Sequence, residues 1–587
     1  MSDKRFVSRS LEEIARYLEI SEKNRFKSLA YLKAARKVED LGTDVVTFVE
    51  SGEVERTPGI GKAIGPIIVE LVRTGQSRYL EELRKQYPAG IFDLMEVEGL
   101  GLRKIGMLYE NLSIGTLEEL ESACRTGRLA ALPGFGKKTE EKILRSIENV
   151  RTRERRYLLP TALEIGESLV SRLRSVVGVE AAEISGSLRR RLEIASDIEI
   201  VLSAKDSSDV FETLLKTQFL DGGEIVDPRT MRGRVRNDVP VILHRSRPDE
   251  FGSTLLFSTG SAEFVAEIIR RGSERGLQVT ARGIKKGPQR LRATSESDIF
   301  EALDLPMLVP ELRETIEWLD RPEGLDRLVH VDALRGTFHA HTTYSDGRST
   351  LYEMLDAARD RGFEYIGISD HSKTASYARG LTEDRVDEQQ SEIEKLRPSF
   401  PELTIFKGTE ADILQNGEMD YEPDTMRKFD FVIASVHSRF KTPIDEMTSR
   451  IIRALENPFV TFLGHLTGRL LLSRPGYEIH YDQVFEAAAQ NGVIIEINGN
   501  PHRLELDWRL MQRALAAGVI FSINPDAHSV ESLGNVLSGS WAARKGGVRS
   551  EQIFNTLPAP EVAAHFARRK SRAEARSAPR RSLPRAN

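Results

Sequence analysis

Apolar residues recur at helical spacing near the N-terminus: Leu11, Ile14, Ala15 and Leu18, then Leu29, Leu32 and Ala35. Residues 11–40 are therefore expected to form short helices. From Tyr157 to about Trp318 the pattern becomes mixed α/β, with strand-like runs at 180–185, 198–202, 224–226 and 239–243 and helices at 208–217 and 262–272. A charged stretch at 320–335 reads as a linker. Seven apolar runs of strand type follow, at 336–341, 365–369, 403–408, 431–436, 459–464, 493–498 and 519–524, separated by helical segments. Buried strands alternating with helices argue for a parallel α/β barrel or a related sheet. From Arg568 the tail carries eight Lys/Arg against one acid, so it is expected to be a disordered basic arm that assists DNA binding or merely solubilises the chain.

A repeat punctuates the N-terminal helices: Thr57-Pro-Gly-Ile-Gly-Lys62, Val97-Glu-Gly-Leu-Gly101 and Leu132-Pro-Gly-Phe-Gly-Lys137, at intervals of 40 and 35 residues. Paired glycines permit a tight turn and close backbone approach, while the next helix N-terminus presents N–H groups to a phosphate. One copy would be an ordinary connector; three point to phosphate-backbone binding. The repeat resembles the helix-hairpin-helix motif of sequence-independent DNA-binding proteins. That resemblance makes Gly59, Gly61, Gly99, Gly101, Gly134 and Gly136 the expected DNA contacts.

Composition adds one clue and several exclusions. The 587 residues suit about three to five folded units. Net charge is −5, so nucleic-acid binding must come from local basic surfaces. Met1–Ser10 is too polar for a signal peptide and no run reaches the roughly 18 apolar residues of a membrane span, so a cytoplasmic protein is expected. Cys124 stands alone, which excludes a disulfide framework or a thiolate-rich zinc site. Histidine is the clue, because ten of eleven lie from His330 onward.

Those histidines cluster at strand ends. The first strand of the C-terminal half ends in His339-Ala-His341 with Asp346 following, and the second runs into Asp370-His371. The third leads to Glu410, the fourth to His437, the fifth to His465 and the seventh to Asp526-Ala-His528. Functional side chains of parallel barrels sit where strands end and loops converge. Six histidines and three carboxylates exceed one tetrahedral ion, so two or three ions are implied. Imidazole and carboxylate without thiolate suit zinc, manganese or iron. Glu410, placed centrally, is the natural bridge between two cations. Such a cluster acidifies a bound water and clamps both oxygens of a phosphate ester.

Phe338-His-Ala-His341-Thr342, Ser369-Asp-His371, Ser435-Val-His437, Gly464-His465 and Pro525-Asp-Ala-His528 resemble the motifs of the polymerase-and-histidinol-phosphatase (PHP) family. The resemblance implies a distorted seven-stranded barrel with a trinuclear phosphoesterase site. It implies the ligands His339, His341, Asp346, His371, Glu410, His437, His465, Asp526 and His528, with His341 and Glu410 counted as catalytic. Mn²⁺ or Zn²⁺ is the expected occupant. Arg469, Arg474 and Arg503 follow strand-end loops and are candidates for phosphate contact.

In the middle region Gly186-Ser-Leu-Arg-Arg190 follows a strand and Asp197-Ile-Glu199 begins the next. Carboxylates two apart on a strand share a face, and could hold Mg²⁺ for phosphoryl transfer. With Phe257-Ser-Thr-Gly-Ser261, Leu303-Asp-Leu-Pro306 and Pro310-Glu-Leu-Arg313, this resembles the palm and thumb of family X DNA polymerases. Asp197 and Glu199 would be catalytic, and Gly186, Ser187 and Arg190 would hold a dNTP. The chain departs from the family pattern in several places. Glu199 replaces an aspartate, and Ile242 falls where a third aspartate is expected, unless a register change brings in Asp238. Phe264–Val265 replace a His-Asn pair, Thr280-Ala-Arg-Gly283 an Asn-Glu-Tyr-Gly sequence, and Ile67 the lyase lysine.

The fold class expected is multidomain, α followed by α/β. Its parts are a helical DNA-binding domain at 1–85, a fingers-like region with two hairpins at 86–155, a nucleotidyltransferase-like palm and thumb at 156–320, a linker at 321–335, a PHP barrel at 336–570 and a tail at 571–587. Residues 1–570 resemble the bacterial form of family X, a repair polymerase fused to a 3′–5′ exonuclease. The expectation is a metal-dependent exonuclease acting on gapped or primer-template DNA as a monomer, with templated polymerisation weak or absent. A fully active bifunctional polymerase and a small-molecule phosphatase are the alternatives, and three DNA grips count against the phosphatase.

Overall fold

The computed structural model describes residues 4–577 apart from 21–24, 40, 42–44, 55, 58–59, 89, 98, 130–131, 133, 153–155, 206–208 and 236–237. It divides into two compact units, 1–154 and 155–587.

The first unit is helical. Helices Lys4–Ile20 and Arg25–Glu39 pack along each other through residues three and four apart, among them Val7, Leu11, Ile14, Leu18, Ala34 and Val38. A single apolar core runs from Val7 to Ile147, so the two regions expected at 1–85 and 86–155 are one unit. The motif turns precede helices Gly65–Thr74, Leu102–Leu112 and Lys137–Thr152.

The second unit opens with a five-stranded sheet: β1 (Val179–Ile184), β2 (Ile198–Ala204), β3 (Asp221–Asp227), β4 (Thr230–Val235) and β5 (Val239–Ser246), in the order β1-β2-β5-β4-β3. Only β2 and β5 run parallel. Strand β4 was not expected from the sequence, because Arg232, Gly233 and Arg234 break its apolar alternation. Helix Leu159–Arg174 covers β1 and β2.

A smaller subdomain follows, with helices Phe251–Thr259 and Ala262–Glu274 and a three-stranded sheet at 278–291. Its anchor is electrostatic. Fully buried Arg313 pairs with Glu296 and donates to the Leu308 carbonyl. Arg189, from the Gly-Ser turn of the first sheet, forks onto the same carboxylate at 2.8 Å. Burial would raise the Glu296 pKa, but Arg313 and Arg189 outweigh it and hold the group at about 2. A carboxylate depressed in the fold contributes stability that is complete above the ordinary range and lost as pH falls from about 5 towards 2. Glu296→Gln strands two arginines, one fully buried, and should destabilise this unit by about 3 kcal/mol at neutral pH. Chemical unfolding of the wild type and variant checks it, and the gap should close as the pH approaches 2.

Seven parallel strands complete the unit: β6 (Gly336–Thr337), β7 (Tyr365–Ile368), β8 (Thr404–Asp412), β9 (Phe431–Ser435), β10 (Val460–Leu463), β11 (Ile494–Asn498) and β12 (Phe521–Asn524), paired in chain order. A parallel bridge between Ala340 and Ala527 joins first to last, giving a nearly closed barrel. Phe338, Tyr365, Phe431 and Phe462 fill its interior, and Val562 and Phe566 of helix Ala559–Ser577 cap them. That helix replaces the tail expected from residue 571 as far as Ser577; residues 578–587 lie outside the described ones. The expected linker is also packed, since Val329 is buried in the barrel core and its N–H reaches the Val548 carbonyl at 3.0 Å. Barrel and first sheet interlock through Lys545, whose buried side chain reaches Glu314 (2.9 Å) and the Arg190 carbonyl (2.8 Å).

Candidate functional sites

The carboxyl ends of the barrel strands bring all nine expected ligand residues together. Glu410 lies at their centre, buried. Its Oε2 faces His371 Nδ1 at 3.0 Å, His339 Nε2 at 3.4 Å and His341 Nε2 at 3.5 Å. Its Oε1 faces His465 Nε2 at 2.8 Å and His437 Nε2 at 3.1 Å. Asp526 Oδ1 stands 3.5 Å from both His339 and His341 Nε2. Asp346 Oδ1 stands 3.5 Å from His528 Nε2 and 3.6 Å from His371 Nε2.

These spacings suit cations. Two ligand atoms about 2.1 Å from a shared ion stand about 3.4 Å apart at a tetrahedral angle. Four groups of donors converge in this way: His341-Asp346-His371-His528, His339-Glu410-His465, His339-His341-Asp526 and His371-Glu410-His437. Both ring nitrogens of His341, with His339 Nε2, His371 Nδ1 and Glu410 Oε2, are buried without a hydrogen-bond partner. Leaving five such atoms unsatisfied would be costly, and a divalent cation satisfies them. Burial would raise the Glu410 pKa, but His437, His339 and His371 hold it well below the usual range. Burial is likewise outweighed at Asp526, chiefly by His339. Both carboxylates are therefore ionised, as ligands must be.

A second layer orients these rings. Glu496 accepts from His339 Nδ1 at 2.6 Å and also from the His465 backbone N–H and the Asn498 and Asn524 amides. Asp412 holds His437 Nδ1 at 2.6 Å. Asp370 accepts from the Thr342 N–H and hydroxyl, both at 2.7 Å, pinning the loop that carries Asp346. Such outer carboxylates fix ring orientation and raise ligand basicity.

The three arginine candidates separate. Arg503 sits at the centre, 3.2 Å from Asp526 Oδ2. Arg474 lies over the Phe440 ring and bonds the Gly468 carbonyl. Arg469 is engaged by Asp507 and the Arg503 and Leu504 carbonyls, so it is part of the scaffold.

Asp197 lies just before β2 and Glu199 within it, and both are half-buried. Glu199 pairs in register with Ile242, which pairs with Arg232. The ladder from Ile198–Val241 to Ser203–Ser246 shows no shift, so Ile242 lies directly beside Glu199. Asp238 precedes β5 and pairs with Arg234 at 2.9 Å. Glu199 bonds His244 Nε2 at 2.9 Å, and its carboxylate is so near Gly186 that a Cβ there would lie 2.6 Å from Oε1. Arg190 is committed to Glu314 and the Thr259 carbonyl, and Gly186 is buried. Phe264 is a buried core residue beside Phe300, and Thr280–Gly283 is the turn of a β-hairpin.

In the helical unit Gly61, Gly99, Gly101, Gly134 and Gly136 are all exposed, and a Cβ on any of them would meet no atom within 4 Å. At Gly61, Gly101 and Gly136 the backbone needs no positive φ either, so the fold itself does not require glycine there. Glycine there leaves open space above the backbone. Gly59 lies outside the described residues.

Residues 3–77 match the family described as Helix-hairpin-helix domain, and 91–149 match SAM-like Helix-hairpin-helix tandem. DNA polymerase beta thumb matches 254–314, and PHP domain matches 337–500. Over 577 residues the chain is 33% identical to the DNA polymerase/3′-5′ exonuclease PolX of Bacillus subtilis strain 168, spanning 96% of this chain and 99% of that protein. The chain belongs to the family X DNA polymerases that carry a PHP domain. Over 229 residues the chain is 27% identical to a probable phosphatase of Thermoanaerobacter sp. strain X514, covering 37% of this chain and 89% of that one. A probable phosphatase of Vibrio parahaemolyticus is 30% identical over 211 residues, covering 34% and 79%.

For this family X chain the residues that sequence reasoning missed are Glu496 and Asp412. Each is an acid inside an apolar strand two residues from another polar group (Asn498 and Glu410), the spacing that puts both on one face. That signal was present in the sequence.

Proposed function

We propose that this chain is a DNA-repair enzyme that grips DNA through its hairpins and removes nucleotides from 3′ ends at the barrel centre. Divalent cations belong there, Mn²⁺ or Zn²⁺, two or three in number. Five buried, unpartnered donor atoms around Glu410 carry the reading. When bound, the cations supply Lewis acidity towards a phosphodiester. His339, His341, Glu410 and Asp526 would hold them at the heart of the site, with His371, His437, His465, His528 and Asp346 around it. Glu496 and Asp412 keep the rings in the tautomer that offers Nε2. Arg503 places a fixed positive charge where a phosphate oxygen can sit.

The substrate is gapped or primer-template DNA, bound without sequence preference by a monomer in the cytoplasm. No described helix is long and apolar enough to cross a membrane. The palm is proposed to bind Mg²⁺ and a dNTP weakly through Asp197, Glu199, Gly186 and Ser187, with little templated synthesis. The test is metal-dependent degradation of a 5′-labelled oligonucleotide, compared with phosphate release from a small monoester. A preference for the monoester would instead favour a small-molecule phosphatase.

The hairpins make their own prediction. A Gly61→Val, Gly101→Val and Gly136→Val variant should keep its melting temperature, since a Cβ at each position meets no atom within 4 Å and none of the three needs a positive φ. Its DNA affinity should fall about tenfold or more on every sequence, because backbone phosphate contacts carry no sequence information. Fluorescence anisotropy at two salt concentrations measures it, and unchanged affinity would reduce the hairpins to connectors.

A further inference from the structure

We infer that Tyr377 is a base-stacking platform at the mouth of the metal centre, favouring a terminal nucleotide that keeps its base over one that lacks it. The inference rests on the nuclease reading above and deepens it.

Segment 372–381 leaves the end of β7 just after His371 and returns to it. The Leu381 N–H bonds the His371 carbonyl at 2.8 Å, and Ser372 bridges Leu381. Gly380 lies so close to the Ser372 carbonyl that a Cβ would stand 1.9 Å from its oxygen. Thr374 bonds Asp420 through both its N–H (3.1 Å) and its hydroxyl (2.9 Å). Ala375 and Ala378 are buried. The loop is therefore pinned along its length, yet it holds Tyr377 68% exposed.

That ring is placed over chemistry. Its centroid lies 6.1 Å from the His371 imidazole and 6.3 Å from that of His437, at steep interplanar angles of 61° and 70°. It stands as a wall beside the two ligands rather than packing flat on either. The charges of Glu410, Asp412, Asp346 and Arg503 reach its hydroxyl. The metal centre thus has a guanidinium at Asp526 for a phosphate and an exposed aromatic ring beside His371 and His437 for a base. Stacking on an aromatic ring tolerates every base, because each has a π-face. That matches hairpins that read only the backbone.

The experiment uses full-length protein, loaded with Mn²⁺, and two single-stranded oligonucleotides that differ only in a normal or an abasic 3′-terminal residue. Tyr377→Ala should raise KM on the normal end about 10-fold or more with kcat nearly unchanged, as loss of one stacked base implies. It should leave cleavage of the abasic end as in the wild type, while Tyr377→Phe should match the wild type on both. Equal behaviour of Tyr377→Ala and the wild type on the normal end would overturn the inference. So would a Tyr377→Phe variant as impaired as Tyr377→Ala, which would assign the effect to the hydroxyl. A wild-type protein that cuts neither oligonucleotide would overturn the nuclease reading itself, and the inference with it.

Discussion

His341→Ala should lower 3′-end cleavage by about a thousandfold or more while leaving DNA binding intact. His341 is the ring that joins two donor groups: its Nε2 faces Glu410 and Asp526, while its Nδ1 lies 3.9 Å from Asp346. It is also wedged between His371 and His528, with centroids 4.5 and 4.3 Å away. Truncation removes a ligand from two ion positions and the spacer between two more ligands. A metal's contribution to transition-state charge is several kcal/mol, and each 1.36 kcal/mol is about tenfold in rate. Asp526→Ala should act similarly, with the added cost of leaving Arg503 without its partner at 3.2 Å. Both variants should bind less metal by elemental analysis. His480→Ala is the control, since His480 is half-buried and pairs with Asp445 outside the cluster. Undiminished digestion by both ligand variants would sink the metal-centre assignment.

Why was this centre legible from sequence? A ligand at a strand's carboxyl end interrupts an apolar run with a residue that packing does not want, and seven such runs give the topology together with the positions. Supporting groups leave a fainter trace, because Glu496 lies within β11 and looks like an ordinary strand residue until the barrel closes. Arginine roles were the least legible. Arg190 finds Glu314, 124 residues away, and Arg469 finds Asp507 and two backbone carbonyls across the barrel mouth. No local pattern encodes such partners. The charged run at 320–335 misled for a related reason: its charges face solvent while Leu328, Val329 and Leu334 go under. Residues 571–577 differ from the expected arm because they continue a basic helix whose Phe566 and Ala573 face inward, a pattern hidden when only charge is counted.

Templated primer extension should be weak or absent, at about a hundredth or less of what a palm with three carboxylates achieves. Two-metal nucleotidyl transfer requires its ligands within about half an ångström of productive geometry. Here the position beside Glu199 belongs to Ile242, and the next across belongs to Arg232. An apolar side chain and then a cation occupy ground where the ion activating the primer hydroxyl needs an anion. A register slip does not rescue the site. Six consecutive pairs fix the β2–β5 ladder, and Asp238 sits outside it, at φ 71° and paired with Arg234. Glu199 is further constrained by His244 and by Gly186 beneath its carboxylate. Losing one carboxylate ligand should remove about 3 kcal/mol or more of transition-state stabilisation, a factor of about a hundred or more. Primer extension should be assayed in a His341→Ala background, so that the nuclease cannot erase product. There, Ile242→Asp combined with Arg232→Ala should raise incorporation about tenfold or more, since it restores an anion and removes its competitor. Robust templated synthesis by the His341→Ala protein alone, lost on Asp197→Ala and on Asp238→Ala, would show that the palm recruits Asp238 and that Ile242 is no handicap.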